Sequence, residues 1–159
     1  MGLNLQDRFF VTALTVATVS LGAAMAPAHA QQASEPPLYE RLGGLKGITM
    51  VVDDFINRLV VNKTLNRNPA IDAGRMASPP PYLKFQVSQL VCQVTGGPCK
   101  YTGRALKEGH AHLNISEKEW GLMAAEFKRS LDKYKVAARE QKELFDIVGS
   151  TKGDIVTRQ

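Results

Sequence analysis

From Ile48 the apolar residues fall at Val51, Val52, Phe55, Ile56, Leu59 and Val60, a 3.6-residue period that predicts an amphipathic helix. A second such stripe runs through Leu83, Val87, Leu90, Val91 and Val94, with Lys84, Gln89 and Gln93 on the polar side. Pro79-Pro80-Pro81 cannot lie inside a helix and instead opens this one, and Thr95-Gly96-Gly97-Pro98 closes it. A third stripe, Trp120, Met123, Phe127, Leu131 and Tyr134, follows Ser116-Glu117-Lys118-Glu119, the pattern of a capping box. Leu144, Phe145, Ile147 and Val148 mark a last helix, and Tyr39 to Leu42 forms a short helical turn closed by Gly43-Gly44. Residues 62–81 are rich in Asn, Asp and proline and read as an irregular connection; residues 98–104 read as loop. No segment alternates convincingly with period two, and no repeat is evident. The pattern is that of an all-α domain.

The amino terminus stands apart. Arg8 precedes an apolar run from Phe9 to Met25, and Ala28-His29-Ala30 matches a small-x-small cleavage site. Residues 1–30 are expected to be a cleaved secretory signal peptide rather than a transmembrane anchor, with residues 31–159 as the mature domain. Export places the protein in the periplasm or outside the cell, with no stable membrane insertion after cleavage. Loss of Arg8 and Asp7 leaves the net charge at +5. Acidic residues are interspersed with the basic ones and no basic stripe alternates with aromatics, so a nucleic-acid partner is not expected. Cys92 and Cys99 are the only thiols. An even pair in an oxidising compartment permits one disulfide; two free or buried thiols are the alternative, and sequence does not choose between them.

The chemistry centres on His110. A short helix through Leu106 and His110 puts Leu106 and Leu113 on the face of His110, while His112 lies about 200° away. His110 therefore looks inward and His112 outward. A lone inward histidine is more often a satisfied core residue than a ligand. Several apolar helical faces together with an inward imidazole, however, suit a flat apolar cofactor such as haem, which needs an axial ligand and apolar walls. No Cys-x-x-Cys-His run is present for covalent c-type attachment, and the His and Cys spacing matches no common zinc pattern.

Leu38-Tyr39-Glu40-Arg41-Leu42-Gly43-Gly44, Val52-Asp-Asp-Phe55-Ile56-Asn-Arg-Leu59, Gly96-Gly97-Pro98, Tyr101-Thr-Gly-Arg104 and His110-x-x-Leu113-x-Ile115 occur in this order. Together they resemble the truncated haemoglobins, group 1 best, over roughly residues 38–156. The resemblance implies a two-over-two helical sandwich around non-covalent haem b, with His110 as the proximal iron ligand. It implies that Phe55, Tyr101 and Leu106 wall the haem, that Ile56, Leu83 and Val87 line the distal side, and that Leu90 belongs to the same cofactor site. Dioxygen, carbon monoxide or nitric oxide would be the ligand, with a reductant of unknown identity. The chain departs from the family pattern at Ile56, where many members place a tyrosine, and at Val87, where a glutamine is frequent. No haem-stacking phenylalanine is evident near Asn68 and Pro69.

Gln86, at the edge of the distal face, is expected to be a solvated helix residue, so bound dioxygen is expected to be poorly held. Lys84, Lys100, Arg104 and Lys107 suit haem propionates chemically, although each is expected to be a solvated side chain. Reversible gas binding is the favoured function. Haem-dependent nitric oxide dioxygenation or a peroxidase-like reaction is a second class, disfavoured by the apolar set over the iron. A haem-free helical interaction module is a third.

Overall fold

A computed structural model describes residues 35–158. Its elements in chain order are α1 (Leu38–Arg41), α2 (Gly44–Val61), a 3₁₀ turn (Leu65–Arg67), α3 (Pro69–Ala77), α4 (Pro80–Val94), α5 (Leu106–His110), β1 (Ile115–Ser116), α6 (Glu117–Lys133), α7 (Ala138–Ser150), α8 (Lys152–Ile155) and β2 (Val156–Arg158). The expected signal segment lies outside the described residues. Among those residues, no helix is long and apolar enough to cross a membrane.

The helices form where the apolar stripes placed them, and α2 is the hub. Its Ile48, Val52 and Ile56 bury against Cys92 of α4, with Leu83, Val87 and Val91 packed around them. Its Val51 joins Leu38 of α1, Phe127 and Leu131 of α6 and Leu144 of α7 in a second cluster. Thus α2 and α4 make one layer, and α6 and α7 the other. Phe55 sits between the layers, edge-on to Phe127 at 5.2 Å between ring centroids, and Phe127 is edge-on to Phe145 at 5.4 Å.

Two segments differ from the sequence expectation. The connection before Pro79 is not irregular throughout, because it contains the 3₁₀ turn and α3. Asn68 caps α3 by accepting from the Ala70 amide, and Pro69 takes the first position. No α3 residue is buried, and its helically spaced apolar residues Ala70, Ala73 and Ala77 are too small to mark it in the sequence. The other difference is a two-stranded parallel pairing, Ile115 with Val156, too short to show alternation. The capping box is present as expected: the Ser116 hydroxyl accepts from the Glu119 amide, and the Glu119 carboxylate accepts from the Ser116 amide.

Beneath the α2–α6 contact lies a polar hub. Asp54 accepts hydrogen bonds from Arg58, Lys133 and the Ser130 hydroxyl. Burial alone would raise the Asp54 carboxyl; these donors outweigh it and lower the carboxyl to about 2.

Candidate functional site

Helix α4 presents two faces. At about 100° per residue, Ser88, Val91, Cys92 and Thr95 share the face turned to α2, and Ser88, Cys92 and Thr95 are buried. Leu83, Val87, Leu90 and Val94 form a stripe about 120° around the helix. Leu83 and Val87 are half-buried against the α2 cluster, Leu90 is half-buried, and Val94 is 44% exposed. This second stripe is apolar but only partly covered by protein. Ile56 lies deeper, at 4% exposure within the α2–α4 cluster, and Phe55 is shared by both core clusters.

His110 ends the short helix α5, half-buried, whereas His112 is exposed. The inward and outward faces read from the sequence are thus the ones observed. His110 Nδ1 lies 2.7 Å from the carbonyl oxygen of Leu106. A carbonyl can only accept, so Nδ1 carries the hydrogen, and in the neutral ring Nε2 then keeps its lone pair. Among the described residues, no protein group pairs with Nε2. Leu106 and Leu113 are half-buried on the same side.

The segment after His110 is held from α3. Asn68, 8% exposed, donates from Nδ2 to the carbonyls of Leu113 and Asn114, at 3.0 and 3.3 Å. Asn114 has φ 50°, a left-handed turn that asparagine tolerates. A Cβ on Gly74 would stand 2.7 Å from Leu113 Cδ2, so α3 approaches this turn closely. Sequence reasoning did not single out Asn68; the Asn68-Pro69 pair, an N-cap followed by proline, was the available signal.

The loop between α4 and α5 is fastened at both ends. Cys92 and Cys99 form a disulfide, resolving the alternative that the sequence left open. Gly96 turns the chain at φ 86°, and a Cβ on Gly97 would stand 2.4 Å from the Tyr39 ring and 2.7 Å from Cys92 Sγ, so only glycine fits there. The Tyr101 amide donates to the Gln93 side chain at 2.7 Å, and its hydroxyl donates to the Arg104 carbonyl at 2.7 Å. Burial raises the Tyr101 phenol above its ordinary value; nearby Tyr82 adds to this and Arg104 opposes it.

Two polar expectations change. Gln86 is not simply solvated: its Oε1 is buried without a hydrogen-bond partner, about 60° around α4 from Leu83. Lys84 is paired with Asp53 at 2.7 Å. Lys100, Arg104 and Lys107 are exposed and belong to no ion pair among the described residues.

Comparison with known proteins gives this arrangement its context. The family model of the bacterial-like globins matches residues 37–157. The chain is 28% identical over 124 residues to a group 1 truncated hemoglobin of Nostoc sp. (strain MUN 8820), a match covering 76% of this chain and 98% of that protein. A group 1 truncated hemoglobin of Mycolicibacterium paratuberculosis is 24% identical over 130 residues, covering 82% of this chain and 91% of the relative. The fold is similar to the crystal structure of truncated hemoglobin from Tetrahymena pyriformis in its Fe(III) form, with TM-score 0.63, 18% identity, and 77% of this chain and all of that chain covered. It is equally similar to the 2/2 hemoglobin of Synechococcus sp. PCC 7002 in the cyanomet state with covalently attached heme, with TM-score 0.63 and 19% identity over 77% of this chain and all of that one. With α2 and α4 layered on α6 and α7, a matching family model over most of its length and relatives of one kind, the chain belongs to the bacterial-type truncated globins, a family that binds haem and diatomic gases.

Proposed function

We propose that this protein holds non-covalent haem b through His110 Nε2 and binds a diatomic gas, dioxygen foremost, reversibly at the iron. The observation that carries the reading is the Nδ1 contact with the Leu106 carbonyl, which selects the tautomer whose free Nε2 lone pair can ligate a metal. Haem, once bound, supplies an iron with an open coordination position for the gas.

The residues present fit the group. The half-covered stripe of Leu83, Val87 and Leu90 offers an apolar wall, and Leu106 and Leu113 offer another beside the imidazole. The Gln86 Oε1, buried and unpaired, puts a polar side chain in need of a partner in that neighbourhood. Thioether attachment through cysteine is disfavoured, because both cysteines are in the disulfide and neither is a free thiol. The work of the chain is to orient the imidazole through Leu106, to fix the following turn through Asn68, and to shield the ligand from water with the α4 stripe.

The test is spectroscopic. His110→Ala should lose the axial-imidazole signature and hold haem loosely, whereas His112→Ala should leave the Soret band of the ferric and carbonyl forms unchanged. The reverse pattern would move the ligand to His112, and a wild-type protein without a Soret band would return the chain to a haem-free helical module.

Nitric oxide dioxygenation is the second reading, and Gln86 is the observation that favours it. Such chemistry draws on polar groups placed over the iron, and Ile56, Leu83 and Val87 supply none. Turnover of nitric oxide by the reduced, oxygenated protein separates the two readings. We also place the protein in the periplasm or outside the cell. The disulfide supports export, since such bonds are rare in reducing compartments. An exported form beginning after Ala30 is the expected result of N-terminal sequencing; an uncleaved start would oppose it.

A further inference from the structure

The net charge of +5 is confined to one stretch of the chain. Residues 1–72 hold six basic and six acidic residues, and residues 108–159 hold nine of each. Residues 73–107 hold five basic residues and no Asp or Glu. These 35 residues build the end of α3, all of α4, the disulfide loop and the start of α5, which are the elements surrounding the proposed gas site. Two of the five cations are neutralised locally, Arg75 by Asp72 and Lys84 by Asp53. Lys100, Arg104 and Lys107 remain, exposed and unpaired among the described residues, with exposed Glu108 as the nearest acid in sequence.

Aromatic surface accompanies them. Tyr82 is 48% and Phe85 57% exposed. On α4 both lie within about 80° of Gln93, whose side chain holds the Tyr101 amide. The Tyr101 amide bond to Gln93 and the Tyr101 hydroxyl bond to the Arg104 carbonyl, each 2.7 Å, tie this loop to α4 on that side. Exposed rings beside unpaired cations, with no acidic residue in the stretch, are what a short-lived charge-steered encounter uses. Weak electron-transfer complexes bury little area and depend on such steering.

We propose that this face docks an acidic protein that delivers single electrons to the site. The proposal rests on the haem reading, because dioxygen binds ferrous iron and each oxidation to ferric must be reversed. In that step the donor loses one electron, the iron gains it, and no bond between the two proteins is made or broken. A nucleic acid would call for a denser basic stripe than three side chains, and the exposed rings favour a folded protein surface.

The test uses the full chain with an acidic flavodoxin as probe, measured by titration calorimetry and, separately, by stopped-flow reduction of the ferric protein. Binding and reduction should weaken at least about tenfold between low salt and about 0.15 M salt, since the screening length falls to about 8 Å. Reversal of all three cations, Lys100→Glu with Arg104→Glu and Lys107→Glu, should lower both by about tenfold or more, within the usual range of steering effects, with the Soret band intact. A control reversal at exposed Lys46, Lys63 and Lys118 changes net charge equally and should leave both nearly unchanged. Equal losses in the control, or an absent salt dependence, overturn the proposal. So does loss of haem from the triple variant, which would assign these cations to the propionates. Tighter binding to phosphatidylglycerol vesicles or duplex DNA than to flavodoxin also overturns it. Failure of the haem reading shows separately, as a missing Soret band, while calorimetry still reports docking.

Discussion

Reducing the Cys92–Cys99 bond should destabilise the domain by about 2.4 kcal/mol. The two residues are seven apart, and the chain-entropy relation for a loop of that length gives roughly 8 cal/mol/K, or about 2.4 kcal/mol at 25 °C. The native contacts should change little, because Cys92 stays within the α2–α4 cluster whether or not it is bonded. For a domain of this size the loss corresponds to a fall in Tm of about 10 °C. Urea unfolding of oxidised and reduced protein, with the thiols counted by alkylation, measures the difference directly. Replacing both cysteines by alanine adds a packing loss at the fully buried Cys92 and should cost more than reduction alone. Identical urea midpoints for oxidised and reduced protein would refute the reasoning, as would two alkylated thiols in the untreated exported protein. The consequence should also be local. With the bond open, the loop leading to α5 keeps the Tyr101 amide bond to Gln93 but loses its covalent tie to α4, so haem should dissociate faster from the reduced protein.

The Asp54 hub predicts an acid dependence. Its carboxyl is lowered from 3.8 to about 2, so its stabilisation is complete above pH 4 and is lost as pH falls through about 2. Asp54→Asn should therefore cost about 2 kcal/mol at pH 7, and urea unfolding should show the gap to wild type closing between pH 4 and pH 2; a gap independent of pH would contradict the assignment. For Gln86, a neutral hydrogen bond donated by its amide Nε2–H to bound dioxygen would be worth about 0.5–1.5 kcal/mol, so Gln86→Leu should speed dioxygen release roughly three- to tenfold in flash photolysis, with carbon monoxide less affected. Unchanged release would leave the pocket without this donor, as the sequence alone suggested.

The residues that define the layers were legible because burial leaves a period. Ile48 to Val60, Leu83 to Val94 and Trp120 to Tyr134 each repeat at 3.6 residues, and each became a helix. The Ser116 capping box was legible because it is a local pattern of two side chains. Helix α3 was not, since it rests on the Asn68 cap and on contacts with a distant turn rather than on buried large apolar residues. The facing of His110 followed from helix geometry, but its tautomer depends on where the Leu106 carbonyl sits, which is a matter of coordinates. Gln86 shows the limit of periodicity most plainly: an edge position tells which side a residue is on, not whether its amide reaches water. The disulfide was allowed by composition and decided only by the turn at Gly96.

The pairing of Ile115 with Val156 has a consequence for the order of assembly. It is parallel, so it cannot close as a hairpin; α6, α7 and α8 form the crossover between its two strands. The entropy of closing so long a loop must be offset by helices already packed. The contact of α8 with α5 waits on the same event. The interior of α2, α4 and α6 can therefore consolidate first, while the turn that carries the imidazole settles only when the far end of the chain arrives beside it.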